Sequence, residues 1–395
     1  MKIALCMLRS EFTRMDGGGE STRQMVEALR CAGHEEITVL SSHGDHPLHR
    51  SYAAAEWSDS RALGLTLRFC AAVIELSRSQ DVIFLILPNP SFGAVADWIH
   101  RRVQVPVAVV YESHWNSLAE YGFYGDNFSP GALARLALLN RFTARLTLRA
   151  CEHYVVSTET QKSLLVGIGY DAARVSVIPN CTTTAVPARP HRERPLRVGY
   201  LGHFNASKGV DLLVQAMPRV VREHPDIELH LAWSGSGGDH PRILRAIDSL
   251  GLATRTTVTD CRVDVPSFLG GLDVLVLPYR SVTRTRIIPS VLLEGLAVGV
   301  PIVTTSCMPI TDVIEHGTTG WVVPREDIDA MAAGILRFLD DPGYASQVSA
   351  AQRASAQRRF SHEAVGAAYT SLLGQLVAGR NPASASRRPA DVLDG

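Results

Sequence analysis

Short apolar runs alternate with longer amphipathic stretches along almost the whole chain, and the alternation starts twice. Runs of strand length fall at 3–8, 37–40, 82–87, 107–111 and 154–157, then again at 197–201, 227–233, 257–260, 274–278, 301–304 and 321–323. Segments such as 21–32, 209–222 and 290–298 between them carry helical periodicity. Several runs are apolar on both faces, which suits strands covered by helices above and below. Strand alternating with helix predicts an α/β chain with parallel, doubly wound sheets. Each half opens alike, with strand, glycine-bearing turn and helix, at 1–32 and at 197–222. The expectation is two Rossmann-like domains with parallel sheets, facing each other.

A Pro-, Thr- and Arg-rich stretch at 182–195 separates the halves and reads as an interdomain linker. The expected organisation is a domain at 1–185, a linker at 186–195 and a second domain at 196–360. A C-terminal helix at 361–378 is expected to cross back to the first domain, ahead of a flexible tail at 379–395. A length of 395 residues accommodates two such domains.

Charge and cysteine content exclude several functions. Basic and acidic side chains balance at 39 each, and neither half carries an excess. A protein held to nucleic acid by phosphate attraction would show a basic surplus. No apolar run approaches the length of a membrane span, and the opening Lys2–Arg9 stretch is too short for a signal-peptide core. The seven cysteines (6, 31, 70, 151, 181, 261 and 307) stand singly, which fits free thiols and a cytoplasmic protein. Only three of the basic residues are lysine, Lys2, Lys162 and Lys208, so a lysine inside a motif stands out.

Three segments carry candidate chemistry. Asp16-Gly17-Gly18-Gly19-Glu20-Ser21 precedes a predicted helix, where glycine backbone and a helix N-terminus suit a diphosphate. A plain strand-to-helix loop explains that turn equally well, and its glycines lack the dinucleotide spacing. The second segment runs from Gly199 through Gly202 and His203 to Lys208, Gly209 and Asp211, and sets a lysine just before a helix. The third runs from Arg286 through Pro289 and Ser290 to Glu294 and Pro301. Ser290 is a plausible N-cap there, and Glu294 sits one turn into an apolar helix, where a carboxylate needs a partner such as ribose hydroxyls.

These segments resemble the nucleotide-sugar domain of the retaining GT-B glycosyltransferases of the family 4 type. The matching signatures are Gly202 to Gly209, Ser234-Gly235-Ser236-Gly237, Asp273 to Pro278, Glu294 to Pro301 and Glu315 to Pro324. The first half matches more loosely, through Gly17-Gly18-Gly19-Glu20, His114 and Val177 to Asn180. The resemblance implies an α/β GT-B fold and a cytoplasmic enzyme that moves a sugar from a nucleoside diphosphate, uridine by default, to an acceptor hydroxyl. It implies that Gly18 and Gly19 approach the donor diphosphate and that Lys208 neutralises it. Backbone near Arg262 would hold the base, Ser290 and Val291 would give N–H groups to the phosphates, and Glu294 would accept the ribose hydroxyls. His114 would stand near donor sugar and acceptor.

Two positions depart from the family pattern: His203 stands where an arginine is usual, and Arg286 where a glutamate is usual. Arg286, or Arg284 nearby, is expected to carry part of the diphosphate charge, or Arg286 alters which sugar fits. Asp327-Ile-Asp329 reads as helix capping rather than a metal site, so neither a metal nor another cofactor is expected. Arg141, Arg145 and Arg149 read first as a solvated helix face and second as a contact for anionic lipid. Tyr111, Trp115, Tyr121, Phe123, Tyr124 and Phe128 read either as an acceptor pocket or as loop packing. The expected partners are a nucleotide-sugar donor and a small-molecule or glycan acceptor, in specialised-metabolite or cell-surface glycan biosynthesis. A nucleotide-sugar 2-epimerase and a non-catalytic GT-B subunit are the alternatives.

Overall fold

The computed structural model describes residues 1–8, 17–41, 49–51, 62–87, 93–111, 151–167, 169–182, 195–233, 240–259, 263–281, 288–307 and 309–379. They fall into two compact units: 1–111, 151–178 and 362–379 form the first, and 179–361 the second. All but Pro195 of the expected linker lies outside the described residues.

The first unit holds strands β1 (Ile3–Met7), β2 (Ile37–Ser41), β3 (His49–Ser51), β4 (Val82–Leu87), β5 (Val107–Tyr111), β6 (His153–Val156) and β7 (Val175–Val177). They form one sheet in the order β3-β2-β1-β4-β5-β6-β7, parallel at every pairing. Its helices are α1 (Gly17–Cys31), α2 (Ala62–Ser77), α3 (Gly93–His100), α4 (Glu159–Gly167) and the C-terminal α11 (His362–Ala378). Every residue of β1 and β4 is buried, the signature of strands covered on both faces. β3 and β7 went unpredicted, being three-residue edge strands with polar members.

Helix α11 packs on α1 and the sheet. Tyr369 meets Phe84 edge-on at 5.7 Å, His362 lies 3.1 Å from Glu27, and His34 Nε2 lies 2.9 Å from Thr370 Oγ1. The backbones approach so closely that a Cβ on Gly366 would fall 2.2 Å from the Ala28 carbonyl oxygen.

The second unit repeats the plan with β8 (Arg197–Leu201), β9 (Glu228–Ala232), β10 (Thr256–Thr259), β11 (Val274–Leu277), β12 (Ile302–Thr305) and β13 (Trp321–Val323). These are parallel in the order β10-β9-β8-β11-β12-β13. Its helices are α5 (Val210–Glu223), α6 (His240–Ser249), α7 (Val265–Gly270), α8 (Ser290–Val298), α9 (Ile328–Asp340) and α10 (Pro342–Phe360). Along β11, Val274 and Val276 pack with Leu213, Met217 and Ile335 on one face, while Leu275 and Leu277 pack with Leu292 and Leu296 on the other. This two-residue alternation between two apolar layers is why the run showed no polar face in the sequence. Among the described residues no helix is long and apolar enough to cross a membrane.

In both sheets the order reverses beside the first strand, between β1 and β4 and between β8 and β11. Such a reversal opens a crevice at the carboxyl ends of the strands, where open α/β sheets bind ligands.

Replacing Gly366 with Ala is expected to destabilise the chain by about 1–3 kcal/mol through overpacking against α1. Gly374 lies on the same helix with no atom within 4 Å of an added Cβ, so Gly374→Ala is expected to stabilise by about 0.5–1 kcal/mol. Urea unfolding of both variants checks the contrast.

Candidate functional site at the β8–β11 switch point

The segment that leaves β8 carries His203 and Lys208. The Tyr200 hydroxyl donates to the His203 carbonyl at 2.9 Å. A short 3-10 turn, Ala206–Lys208, follows, capped by Asn205, whose Oδ1 accepts from the Lys208 N–H at 3.1 Å and from the Ser207 hydroxyl at 2.7 Å. Gly209 closes the turn at φ +67 and begins α5. Only glycine fits there, because that φ is left-handed and a Cβ would lie 2.0 Å from the Pro278 carbonyl oxygen.

The segment that leaves β11, Pro278-Tyr279-Arg280-Ser281, forms the other wall. The N–H groups of Arg280 and Ser281 both donate to the Ser207 carbonyl, at 2.9 and 3.1 Å. The Tyr279 carbonyl accepts from Thr305 Oγ1 at 2.5 Å and from Cys307 Sγ at 3.0 Å, which anchors this wall to the end of β12.

Lys208 is only 8% exposed, and its ammonium lies 4.5 Å from the centre of the Tyr279 ring. Burial lowers its pKa from the ordinary 10.5 to about 8. Among the described residues no carboxylate pairs with it. His203, on the same segment, has its pKa lowered by partial burial and then by the Lys208 charge. The buried Tyr279 phenol is pushed upward by burial first, then by Cys307 and Glu294. Glu294 therefore acts electrostatically on the residue that lies under Lys208.

Helix α8 brings Ser290, Val291 and Glu294 together within two turns, all three half-buried. Its cap is Pro289, which supplies no side-chain acceptor to the helix N-terminus. Leu292 and Leu293 fix the helix by burying its other faces. Right-handed crossovers in a parallel sheet place the N-termini of α5 and α8 at the carboxyl edge, beside the switch point.

The remaining sequence candidates fall elsewhere. Gly18 and Gly19 belong to the first turn of α1, which begins at Gly17. The glycines are thus helical rather than a loop ahead of a helix at 21, and Glu20 in the same turn complements the helix dipole. Three site candidates, His114, Arg262 and Arg286, lie outside the described residues, as do Arg284, the 234–237 glycine segment and Arg141, Arg145 and Arg149. Of the aromatic group only Tyr111 is described. It is fully buried between β5 and β6, stacked on Tyr154 at 6.2 Å and 3.3 Å from the Tyr170 hydroxyl, so it is packing rather than pocket lining.

Several signature residues are scaffold. Asp273 fastens the start of β8 by accepting from the Arg197 N–H at 2.8 Å. The segment from Glu315 is a tied turn: Thr319 Oγ1 accepts from the Glu315 N–H, Tyr344 donates to the Gly317 carbonyl and Gln352 to that of Thr319. Asp327 caps α9 by accepting from the Ala330 N–H at 2.8 Å, and Asp329 faces Arg219. Among the described residues no cluster of His, Cys, Asp or Glu could hold a metal ion.

Sequence reasoning missed Tyr279 and Arg280, and named Asp211 only as the end of its motif. Asp211 accepts hydrogen bonds from Arg280 Nη1 and Nη2, at 2.7 and 2.9 Å, and from Arg242 Nη2 at 2.6 Å. Burial works to raise the Asp211 pKa, but Arg280 and then Arg242 outweigh it and lower it overall. The available signal was an acid within a turn of the motif lysine, on the apolar face of an otherwise amphipathic helix.

Comparison with known proteins agrees with this geometry. Residues 195–341 match the family model "Glycosyl transferases group 1", and residues 16–181 match "Glycosyl transferase 4-like domain". The phosphatidyl-myo-inositol mannosyltransferase of Mycolicibacterium smegmatis is 26% identical over 369 residues, covering 84% of this chain and 85% of that protein. The alpha-D-kanosaminyltransferase of Streptomyces kanamyceticus is 32% identical over 152 residues, but this chain spans only 38% of that relative's length, using 38% of its own. Among solved structures, Anabaena HepE in complex with UDP superposes with a TM-score of 0.75 at 15% identity, covering 95% of this chain and 100% of that one. The two family models together span most of the chain, and each meets a matching α/β unit: the chain belongs to the glycosyltransferases with a 4-like and a group 1 domain.

Proposed function

We propose that the protein is a retaining, metal-independent glycosyltransferase. It would transfer a sugar from a nucleoside diphosphate, UDP in the first instance, to an acceptor hydroxyl in specialised-metabolite or cell-surface glycan biosynthesis. One observation carries the reading: Lys208 is a buried ammonium to which no carboxylate pairs among the described residues, set at the β8–β11 switch point. Such a cation is costly unless an anion arrives from outside.

The chemistry needs that cation. When the anomeric bond breaks, negative charge grows on the β-phosphate of the leaving nucleoside diphosphate. A fixed ammonium in a poorly hydrated site stabilises that charge without reorganising. The N–H groups of Ser290 and Val291 at the start of α8 suit the phosphate oxygens. Glu294 suits the ribose hydroxyls, a carboxylate accepting two O–H donors. The first turn of α1, with Gly18 and Gly19, is the corresponding anion-binding end of the first unit. His203 is a weaker cation than arginine, and Arg286 is proposed from the sequence to make up the difference. The UDP bound to the structurally similar HepE supports uridine as the base to try first.

Thermal shift of the full chain against a panel of sugar nucleotides tests the donor. A true donor at a hundred times its Kd stabilises by about 2.7 kcal/mol, and the corresponding free sugars are expected to do nothing. With that donor, Lys208→Ala and Glu294→Ala are each expected to lower turnover by about 10²–10³-fold. Chelator is expected to leave the rate unchanged, and NMR of the product to show the donor's anomeric configuration retained. Turnover that survives both substitutions would sink the reading.

The buried lysine also predicts a stability cost. Below pH 8 the folded chain must hold the Lys208 charge away from water, so Lys208→Met is expected to stabilise the ligand-free protein by about 3 kcal/mol at neutral pH. Between about 8 and 10.5 the unfolded chain keeps a proton that the folded chain has shed. Wild-type stability therefore rises relative to the variant across that window, and the gap closes above it. Urea titrations at neutral and strongly alkaline pH measure both.

A further inference from the structure

The two segments at the switch point are docked residue against residue. Gly209 touches the Pro278 carbonyl, Lys208 lies over the Tyr279 ring, and Ser207 receives the Arg280 and Ser281 N–H groups. The Arg280 side chain adds a further bond to the Ala206 carbonyl at 3.1 Å. These contacts hold the backbone of the turn. One side-chain pair closes the arrangement: the Arg280 guanidinium grips the Asp211 carboxylate with two parallel bonds, at 2.7 and 2.9 Å. Asp211 stands in the first turn of α5, immediately past Lys208 and Gly209. The pair is well sheltered, with side chains 14% and 8% exposed.

We propose that Arg280 and Asp211 are positioning residues for Lys208, forming a clamp that fixes the lysine-bearing turn against Tyr279 so that the ammonium is held at one point in the crevice. Such a clamp matters for a charge that acts in a transition state, because misplacing it by an ångström loses most of its effect. A bidentate guanidinium–carboxylate pair sets angle as well as distance, which a point charge does not. Arg242, 55% exposed, reaches only one oxygen of the same carboxylate and makes no bond to the turn among the described residues, so it is the outer partner rather than part of the clamp. Among the described residues, the groups that face Lys208 are His203 on its own segment, Tyr279 on the β11 side and, acting through Tyr279, Glu294 on α8. Neither clamp residue supplies a charge that substitutes for the lysine, since Asp211 is met by Arg280 and Arg242, and Arg280 by Asp211 and, 3.6 Å from its Nε, Glu326.

The inference rests on the reading of Lys208 as the cation for the diphosphate, and the test separates the two. The chain contains three lysines, so full-length protein labelled with 13C at lysine Cε gives three signals, and Lys208→Ala identifies the one that matters. In the wild type that signal is expected to titrate near pH 8. In Arg280→Lys and in Asp211→Asn its midpoint is expected to rise toward the ordinary 10.5, as the freed turn lets the ammonium reach water. With the donor identified above, kcat is expected to fall about tenfold while the donor KM changes far less. Arg242→Gln strips Asp211 of its outer partner and is expected to leave the midpoint and kcat as they were. If Arg280→Lys and Asp211→Asn only lower the melting temperature, with midpoint and kcat unmoved, the pair is scaffold and the inference falls. It falls equally if Arg242→Gln moves both readouts as far. Should Lys208→Ala keep full turnover, the functional reading fails, and the 13C titration still judges whether the pair positions the lysine.

Discussion

A buried ammonium to which no carboxylate pairs among the described residues is the constraint around which the second unit is organised. Lys208 sits where β8 and β11 run side by side while their chains depart in opposite directions, so backbone cannot fill the space above their carboxyl ends. The lysine turn is held there by an Asn205 cap, by a left-handed glycine pressed against Pro278, and by an aromatic ring under the charge. None of these neutralises the ammonium; each only fixes where it is. That geometry, around a charge no described carboxylate meets, is what the proposed function reads as a site for an anion.

The strands were legible in the sequence because parallel strands buried on both faces must be apolar throughout, and runs such as 82–87 and 274–277 have no other economical placement. The two strands that escaped notice, His49–Ser51 and Val175–Val177, are edges, where one flank has no neighbour to impose a pattern. The start of α1 was misplaced because glycine is a weak helix former, yet the first turn of a helix tolerates it: its N–H groups have no helical partner to lose. Lys208 was found through scarcity, one lysine of three falling in a motif. Its clamp was not found, because Asp211 and Arg280 are separated by nearly the whole first half of the domain. Their relation exists only once β8 and β11 are adjacent. Part of the matching signature is scaffold: Asp273 fastens β8 and the 315–320 turn is tied to α10, as the Arg197 and Tyr344 bonds show.

The histidine at 203 gains a physical rationale from the same constraint. A guanidinium at that position would keep its charge with the site empty, adding like-charge repulsion to a lysine already depressed to about 8 by burial. An imidazole whose own pKa is lowered by partial burial and by Lys208 is mostly neutral at neutral pH, so it leaves the lysine its proton. A diphosphate entering the site would reverse the balance, since two negative charges raise both pKa values and favour protonation of the ring. On the proposed function, a histidine in place of the family's usual arginine would exchange a permanent second cation for one that gains its charge with the ligand.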